Sequence, residues 1–316
     1  FWRKIVHPRT VSPAPVHAAE RAAPRYREPP RPPEPVYKTP LFVAIRPGAR
    51  ELWVANENAG TVSVIDTRKR VVIAEIRCGG APTAIAFTPD GARAFVSNRL
   101  DDTFTVIDAA KRTPVRSARA GDEPHGLLLD RDGKRLYVLN TASDDISVHD
   151  ASTLEREKKL QAGRAPWALA LSPDGARLLV TNLYSHMTGF QMPLRSEVTV
   201  IETGRAVVED RLMAPDTNLM SGIAWHPSGE YALATINRTK NLVPMTRLLQ
   251  GWTITNGLLI LHAGGETDQV LLDLPGLGFA DATAVAFTPD GRRALVTSSG
   301  TDRLAVVDTA KLLSLI

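Results

Sequence analysis

Residues able to do chemistry are few in this 316-residue chain, and none forms a familiar catalytic motif. Cys78 is the only cysteine, which excludes an internal disulfide, a cysteine-based zinc site and a C-x-x-C-H haem attachment motif. It precedes Gly79 at the end of a predicted strand with no basic partner nearby, so a buried or edge thiol is favoured over a nucleophile. P-loop, Rossmann, G-x-S-x-G and H-E-x-x-H motifs are absent from the sequence. We therefore predict no catalytic residue and no metal site, and no catalysis by this chain alone.

His125 is the histidine whose position is most suggestive of a site. It follows Pro124 where a strand is predicted to begin, and Trp167 occupies the same point 42 residues later. Residues at this point of a repeated sheet can face a central channel, so both are candidates for a channel site. A metal there would need two or three further ligands. Of the other histidines in the repeated part, His149 and His262 are predicted to pack in strands and His226 to lie in a turn.

Two long insertions, residues 183–197 and 238–257, hold the side chains best suited to binding a protein partner. Aromatic, methionine and arginine side chains are enriched at interface hot spots. The predicted partner-binding residues are Tyr184, His186, Met187, Arg195, Arg238, Lys240, Asn241, Arg247 and Trp252. Alternatively, the two insertions pack on one another and cap a channel. A copper site at His186, Met187 and Met192 is disfavoured, because soft ligands alone do not make a site.

The insertions interrupt a regular period. Asp66, Asp108 and Asp150 lie 42 residues apart, and Asn56, Asn98, Asn140 and Asn182 keep the same spacing. Six copies of a unit of the form AIAFTPDG, ARAFVSN, TFTVIDAA are visible, which is typical of a repeat architecture. The glycines of the TPDG-like turns at 175, 229 and 291 are 54 and 62 residues apart. We interpret the extra residues as loops that follow the second strand of units four and five, and so leave from the same face.

Each unit has the pattern of a small antiparallel sheet. Short runs of Val, Ile, Leu and Phe alternate with Asp-Gly or Ser-Gly turns, as in hairpins. Val62 and Val64 form one apolar face of the third strand while Ile65 belongs to the other face, so both faces must be covered. The sequence therefore predicts an all-β protein, a β-propeller of four-stranded antiparallel blades over residues 41–316.

The first 40 residues have a different composition. They contain ten of the 23 prolines, with eight Lys or Arg against three Glu. Such a segment is predicted to be an extended or disordered basic tether. The chain begins with Phe, and its sixth unit stops where a fourth strand is expected. We therefore expect an excised or processed piece of a longer protein with seven or more blades. No apolar run is long enough to span a membrane, and the net charge of +4, carried by the tether, does not indicate a nucleic-acid partner.

The segments ELWVANENAGTVSVID, ARAFVSNRLDDTFTVID and KRLYVLNTASDDISVHD resemble the repeats of the YVTN family of bacterial β-propellers. The second insertion, within NRTKNLVPMTRLLQGWTITNGLLIL, is similar to a segment of propellers that accompany c-type cytochrome or di-haem peroxidase-like domains. This resemblance implies an extracytoplasmic protein, periplasmic or on the cell surface, with haem c in a partner domain and no cofactor in this chain. The favoured function is a non-catalytic scaffold that docks this haem domain through the two insertions. The alternatives are a stand-alone protein-binding propeller and a lactonase-type enzyme with a metal at the channel mouth.

Overall fold

The fold is described from a computed structural model that covers residues 37–186, 192–239, 254–273 and 278–316. Apart from one 3₁₀ turn after Asn98 and a short helix, α1 (Thr309–Leu313), its regular elements are all β-strands. None of its helices is long and apolar enough to cross a membrane. The predicted all-β class is confirmed.

The strands form six antiparallel sheets in chain order. Sheet 1 consists of β1 (Pro40–Ile45), β2 (Glu51–Asn56), β3 (Thr61–Asp66) and β4 (Val71–Arg77). Sheet 2 consists of β5 (Pro82–Phe87), β6 (Arg93–Asn98), β7 (Thr103–Asp108) and β8 (Thr113–Arg119). Sheet 3 consists of β9 (Pro124–Leu129), β10 (Arg135–Asn140), β11 (Asp145–Asp150) and β12 (Arg156–Gln161).

The other three sheets contain the insertions and the last repeat. Sheet 4 consists of β13 (Pro166–Leu171), β14 (Arg177–Asn182), β15 (Arg195–Glu202) and β16 (Val207–Pro215). Sheet 5 consists of β17 (Thr217–Trp225), β18 (Tyr231–Thr239), β19 (Ile254–His262) and β20 (Thr267–Leu271). Sheet 6 consists of β21 (Ala282–Phe287), β22 (Arg293–Ser298) and β23 (Arg303–Asp308).

The sheets are blades of a β-propeller, because the first strands contact one another in sequence. Strand β1 contacts β5, which contacts β9, and the series continues through β13 and β17 to β21. These first strands are therefore the inner ones. The apolar core lies between successive sheets: one cluster joins Trp53 and Val62 of sheet 1 to Ile85 and Val96 of sheet 2. Strands apolar on both faces are covered in this way by two neighbours.

The predicted hairpins lie between the first and second strands of the blades. Gly91, Gly133, Gly175, Gly229 and Gly291 have φ between 67° and 77°, a region that favours glycine. Asp90 stabilises its turn by accepting hydrogen bonds from the Thr88 hydroxyl and the Ala92 amide. The repeated Asp-Gly pairs are thus explained by local backbone geometry.

The repeated asparagines join each second strand to the rest of the propeller. The Nδ2 of Asn140 donates to Asp145 and Ser147 on the third strand, while its Oδ1 accepts from the Gly121 amide. A Cβ at Gly121 would lie 2.5 Å from the Asn140 Cγ. Asn98 and Gly79 make the same amide contact one blade earlier. At Asn98 and Asn140, the 42-residue spacing therefore reflects a blade-to-blade contact.

The repeated aspartates end the third strand and order the turn that follows. Asp66 accepts from the amides of Arg68 and Lys69, and Asp150 accepts from those of Ser152 and Thr153. Hydrogen bonds from the Ser152 side chain and from Thr153 lower the pKa of Asp150 to about 2. These carboxylates are turn caps.

One part of the sequence interpretation is wrong. The extra residues of units four and five are not all in loops. In unit four, β15 has eight residues where β11 has six, and in unit five β17, β18 and β19 each have nine where β9 and β10 have six. Arg195 therefore lies in a strand, paired with Pro215, and Arg238 pairs with Thr255. At the N-terminal side, β1 begins at Pro40, one residue before the predicted propeller boundary, and the predicted tether up to residue 36 lies outside the described part.

Candidate functional site

Polar side chains on the inner strands connect neighbouring blades. The Thr83 hydroxyl lies 2.8 Å from the His125 carbonyl oxygen, and the Ser221 hydroxyl lies 2.9 Å from that of Ala282. His125 continues the series with its Nδ1 3.0 Å from the Trp167 carbonyl oxygen. At Thr83, His125 and Ser221, side-chain hydrogen bonds therefore join neighbouring blades.

The structure brings the two channel candidates into contact. The rings of His125 and Trp167 stack with their centroids 3.6 Å apart. Burial disfavours the imidazolium and lowers the pKa of His125 to about 4, with a further lowering by Arg99 and an opposing effect of Glu57. Because Nδ1 faces a carbonyl oxygen, it holds the proton of the neutral ring. Its Nε2 then has a lone pair, and this buried atom has no hydrogen-bond partner in the described structure.

The structure confirms the sequence interpretations of His149, as a residue packed in a strand, and of Cys78, as a buried or edge thiol. His149 is 1% exposed in β11 and packs edge-on against Phe104. Burial raises the pKa of the Cys78 thiol to about 12, so little of it is ionised at neutral pH. Within the described ranges, no cluster of three or more His, Cys, Asp or Glu is arranged to hold a metal ion.

The connection between β14 and β15 is held by a buried carboxylate. Glu197, on β15, is 4% exposed and lies 2.8 Å from the Nε2 of His186 through its Oε2. Its other oxygen accepts from Arg211 of β16, whose guanidinium also donates to the Gln161 carbonyl of sheet 3. This cluster anchors the start and the end of the first insertion to two blades.

The same connection reaches sheet 5. The Ser185 hydroxyl lies 3.2 Å from the Asn218 Oδ1 on β17, and the Arg164 guanidinium donates to the Ser185 carbonyl. Asp216, two residues before Asn218, lies 3.5 Å from the guanidinium of Arg238, near the end of β18. These two contacts, joined only by the backbone from Asp216 to Asn218, tie the start of the first insertion and the start of the second to the same short segment. Both insertions leave from the second strand of their blade, as predicted.

The predicted partner-binding residues are only partly described. Tyr184 is 49% exposed, and the half-exposed His186 and the strand residues Arg195 and Arg238 also lie within the two insertions. The others lie outside the described residues: Met187, Lys240, Asn241, Arg247 and Trp252.

Sequence reasoning missed Glu197 and its partner Arg211. Glu197 occupies the position of Thr61, Thr103 and Asp145 in earlier repeats, so the change from Thr to an acidic residue in units three and four was a usable signal. Asn218 and Asp216 gave no such signal, because the link between the insertions depends on how neighbouring blades pack.

Fold and site together define a β-propeller with an elaborated pair of blades. A family model described as "Lactonase, 7-bladed beta-propeller" matches residues 42–153. The hydrazine synthase subunit beta of Kuenenia stuttgartiensis is 29% identical over 118 residues, which are 37% of this chain and 30% of that protein. The chain thus matches less than a third of that relative's length.

The structure of a Kuenenia stuttgartiensis hydrazine synthase chain superimposes with a TM-score of 0.82 at 24% identity. The superposition covers 89% of this chain and 79% of that one. At this identity the likeness establishes the propeller fold alone.

Proposed function

We propose that this chain is a non-catalytic propeller scaffold that docks a redox partner containing haem c through the surface formed by the two insertions. The haem belongs to the partner, and the protein acts outside the cytoplasm, in the periplasm or at the cell surface. The contact series from His186 and Ser185 through Asn218 and Asp216 to Arg238 carries the proposal. It makes one anchored platform of two adjacent blades.

Three further observations support a protein-binding role. Tyr184 is exposed on this platform, and exposed tyrosines and arginines are frequent interface anchors. The buried Glu197 holds His186 and Arg211 in place, so the platform is preorganised for binding. The relative matched over 118 residues is a subunit of an enzyme, which agrees with a propeller that works in an assembly.

Partner capture from a soluble extract of the source organism tests the proposal. The immobilised chain is expected to retain a protein that stains for covalent haem. Tyr184→Ala combined with Arg238→Ala should reduce its recovery at least tenfold, since each hot-spot truncation costs about 2 kcal/mol. Val115→Ala, at a 68% exposed position on outer strand β8, is the matched control and should leave recovery unchanged. Absence of a haem-staining protein, or equal recovery by all variants, would refute the proposal.

Lactone hydrolysis is the second candidate, favoured by the description of the matching family model. Its site would be the inner strands around His125, whose Nε2 has no hydrogen-bond partner among the described residues. Assays of purified chain with aliphatic and aromatic lactones, with and without divalent metals, distinguish the two functions. Turnover that is lost in His125→Asn and kept in the Tyr184→Ala, Arg238→Ala variant would favour the enzyme.

A further inference from the structure

Apolar side chains are exposed on the outer strands of sheets 1 and 2. On β4, Val71, Val72 and Ile73 are 49%, 57% and 38% exposed. Val115, on β8, is 68% exposed. Strands β4 and β8 contact each other, so these side chains lie on adjoining strands at the rim of the propeller. Exposed apolar side chains that lie together and are flanked by polar residues mark binding surfaces.

Ile73 and Val115 occupy a special position of the repeat. Each is the unpaired residue of a β-bulge, where the fourth strand has one residue more than the third. In sheets 3 and 4 the same position holds Glu157 and Glu209. Glu157 accepts a hydrogen bond from the Arg135 Nε, and Glu209 has the same kind of partner in its own blade. The bulge therefore takes a charged, paired side chain in sheets 3 and 4 and an exposed apolar one in sheets 1 and 2.

The segments that carry these apolar side chains are strongly basic. The outer strands of sheets 1 and 2 with the turns before them, residues 67–77 and 109–119, contain eight Lys or Arg against one Glu. The corresponding part of sheet 5, residues 263–271, contains two acidic residues and no Lys or Arg. Sheet 2 also keeps the arginine of the second strand, as Arg93, although Val115 replaces its glutamate partner. Positive charge is thus concentrated on one side of the rim.

Several of these cations have no internal ion pair. Glu75, the single acidic residue of the two segments, lies 2.9 Å from the Nζ of Lys38. Within the part of the chain that the structure describes, the exposed Arg68, Lys69 and Arg116 form no salt bridge. Their charge is therefore available to an anionic partner.

The combination of cations and aliphatic side chains favours a lipid surface as that partner. Basic residues are attracted to anionic headgroups, while apolar side chains enter the boundary between headgroups and acyl chains. A second copy that presented the same surface would be repelled by its like charge. The two segments contain none of the Trp, Tyr, Phe or Met residues that anchor many protein interfaces.

We propose that residues 67–77 and 109–119 form an outer patch that binds the surface of anionic lipid bilayers. Its basic side chains contact the lipid headgroups, and the aliphatic side chains of Val71–Ile73 and Val115 lie in the boundary below them. The attachment is peripheral. It does not depend on the proposed haem partner, because the insertions belong to sheets 4 and 5.

Cosedimentation of the full chain with lipid vesicles tests the proposal. The chain is expected to sediment with vesicles of equimolar phosphatidylcholine and phosphatidylglycerol and to stay in solution with vesicles of phosphatidylcholine alone. Residues 1–40 are kept in every variant, so differences between variants do not come from that basic segment.

Removal of charge from the outer patch is the first variant. Arg68→Gln, Lys69→Gln and Arg116→Gln together should lower the partition coefficient at least roughly tenfold, because each basic residue near an anionic surface strengthens binding several-fold. All three positions are exposed, so urea unfolding of this variant should match that of the unmodified chain.

The matched control removes the same charge elsewhere. Lys134→Gln, Arg205→Gln and Arg292→Gln change three strongly exposed side chains that lie outside the outer patch. Salt screens charges that are distant from the bound surface, so this control should lower the partition coefficient less than about twofold.

A second variant tests the aliphatic contribution without any change of charge. Ile73→Gln combined with Val115→Gln should lower the partition coefficient at least roughly threefold, because apolar side chains no longer enter the headgroup boundary. A surface that only attracts polyanions, an acidic protein among them, would lose no binding in this variant.

Three results would overturn the proposal. The first is no sedimentation of the unmodified chain with the phosphatidylglycerol vesicles. The second is an equal loss of binding in the outer-patch variant and the matched control, which would show that only the overall charge of the chain matters. The third is unchanged binding of the Ile73→Gln, Val115→Gln variant, which would show that the aliphatic side chains do not enter the bilayer surface.

Discussion

At the residue scale, the repeated Asn and Asp side chains of this protein have structural roles. Asn140 joins two strands and the crossover of the preceding blade, and Asp150 caps a turn. Their exact spacing follows from contacts between equivalent blades. The residues that break the pattern, His125 and Glu197, are the ones with unusual environments, and they are the better guides to a site.

The contact between Gly121 and Asn140 predicts strong coupling. Gly121→Ala alone should destabilise the fold by roughly 1–3 kcal/mol, because its Cβ would overlap the Asn140 side chain. In an Asn140→Ala background the overlapping amide is gone, so the added cost of Gly121→Ala should fall by more than about 1 kcal/mol. Urea unfolding of the two single variants and the double variant measures this coupling. Simple additivity would contradict the proposed contact.

The lowered pKa of His125 predicts a loss of stability in acid. The unfolded ring takes up a proton near its usual pKa of about 6.5, whereas the folded ring does so near 4. The unfolded state therefore binds more protons between these values, and the free energy of unfolding falls as the pH decreases from about 6.5 to 4. His125→Asn should flatten this part of the profile of unfolding free energy against pH. His149, whose pKa is also lowered by burial, accounts for part of the slope that remains.

At the scale of elements, the same strand position has different energetic importance in different blades. Val106 is 5% exposed between sheets 2 and 3, while Val306, at the equivalent point of β23, is 56% exposed. Both residues lie in third strands of the same apolar pattern, TFTVID in β7 and RLAVVD in β23, so the packing of neighbouring sheets accounts for the difference in exposure.

Paired substitutions test this difference. Val106→Ala should reduce the free energy of unfolding by about 1.5–3 kcal/mol, because it removes buried methyl groups and leaves a cavity. Val306→Ala should change it by less than about 0.5 kcal/mol. Thermal and urea unfolding of the two variants provide the comparison. An equally large loss for Val306→Ala would show that this face is already covered.

At the scale of the whole molecule, the composition of residues 1–40 still predicts a tether. The prolines and charged residues of this segment leave little apolar surface to bury, in contrast to the blades that follow. Limited trypsin treatment should cleave after the arginines of this segment first and leave a stable fragment that begins near β1. Mass spectrometry of the time course identifies the cleavage sites. Cleavage within the blades at the same rate would contradict the prediction.

The sequence by itself determined the repeat, the strands and the hairpins. These features follow from local chemistry, since Asp90-Gly91 favours its turn and alternating apolar residues favour a strand in any blade. The two insertions were also visible, because they interrupt a strict period. Their exact extent was not, since hydrogen bonds to neighbouring strands turned part of each insertion, including Arg195 and Arg238, into longer strands.

Only the tertiary structure decided which of these residues meet. The stack of His125 on Trp167, the burial of Glu197 between His186 and Arg211, and the link from Ser185 to Asn218 each join residues of different strands or blades. The exposure of Leu304 and Val43 was equally hidden in the sequence, because a repeat unit has the same pattern whether or not a neighbour covers it. Burial belongs to the packed assembly of sheets, and no single strand encodes it.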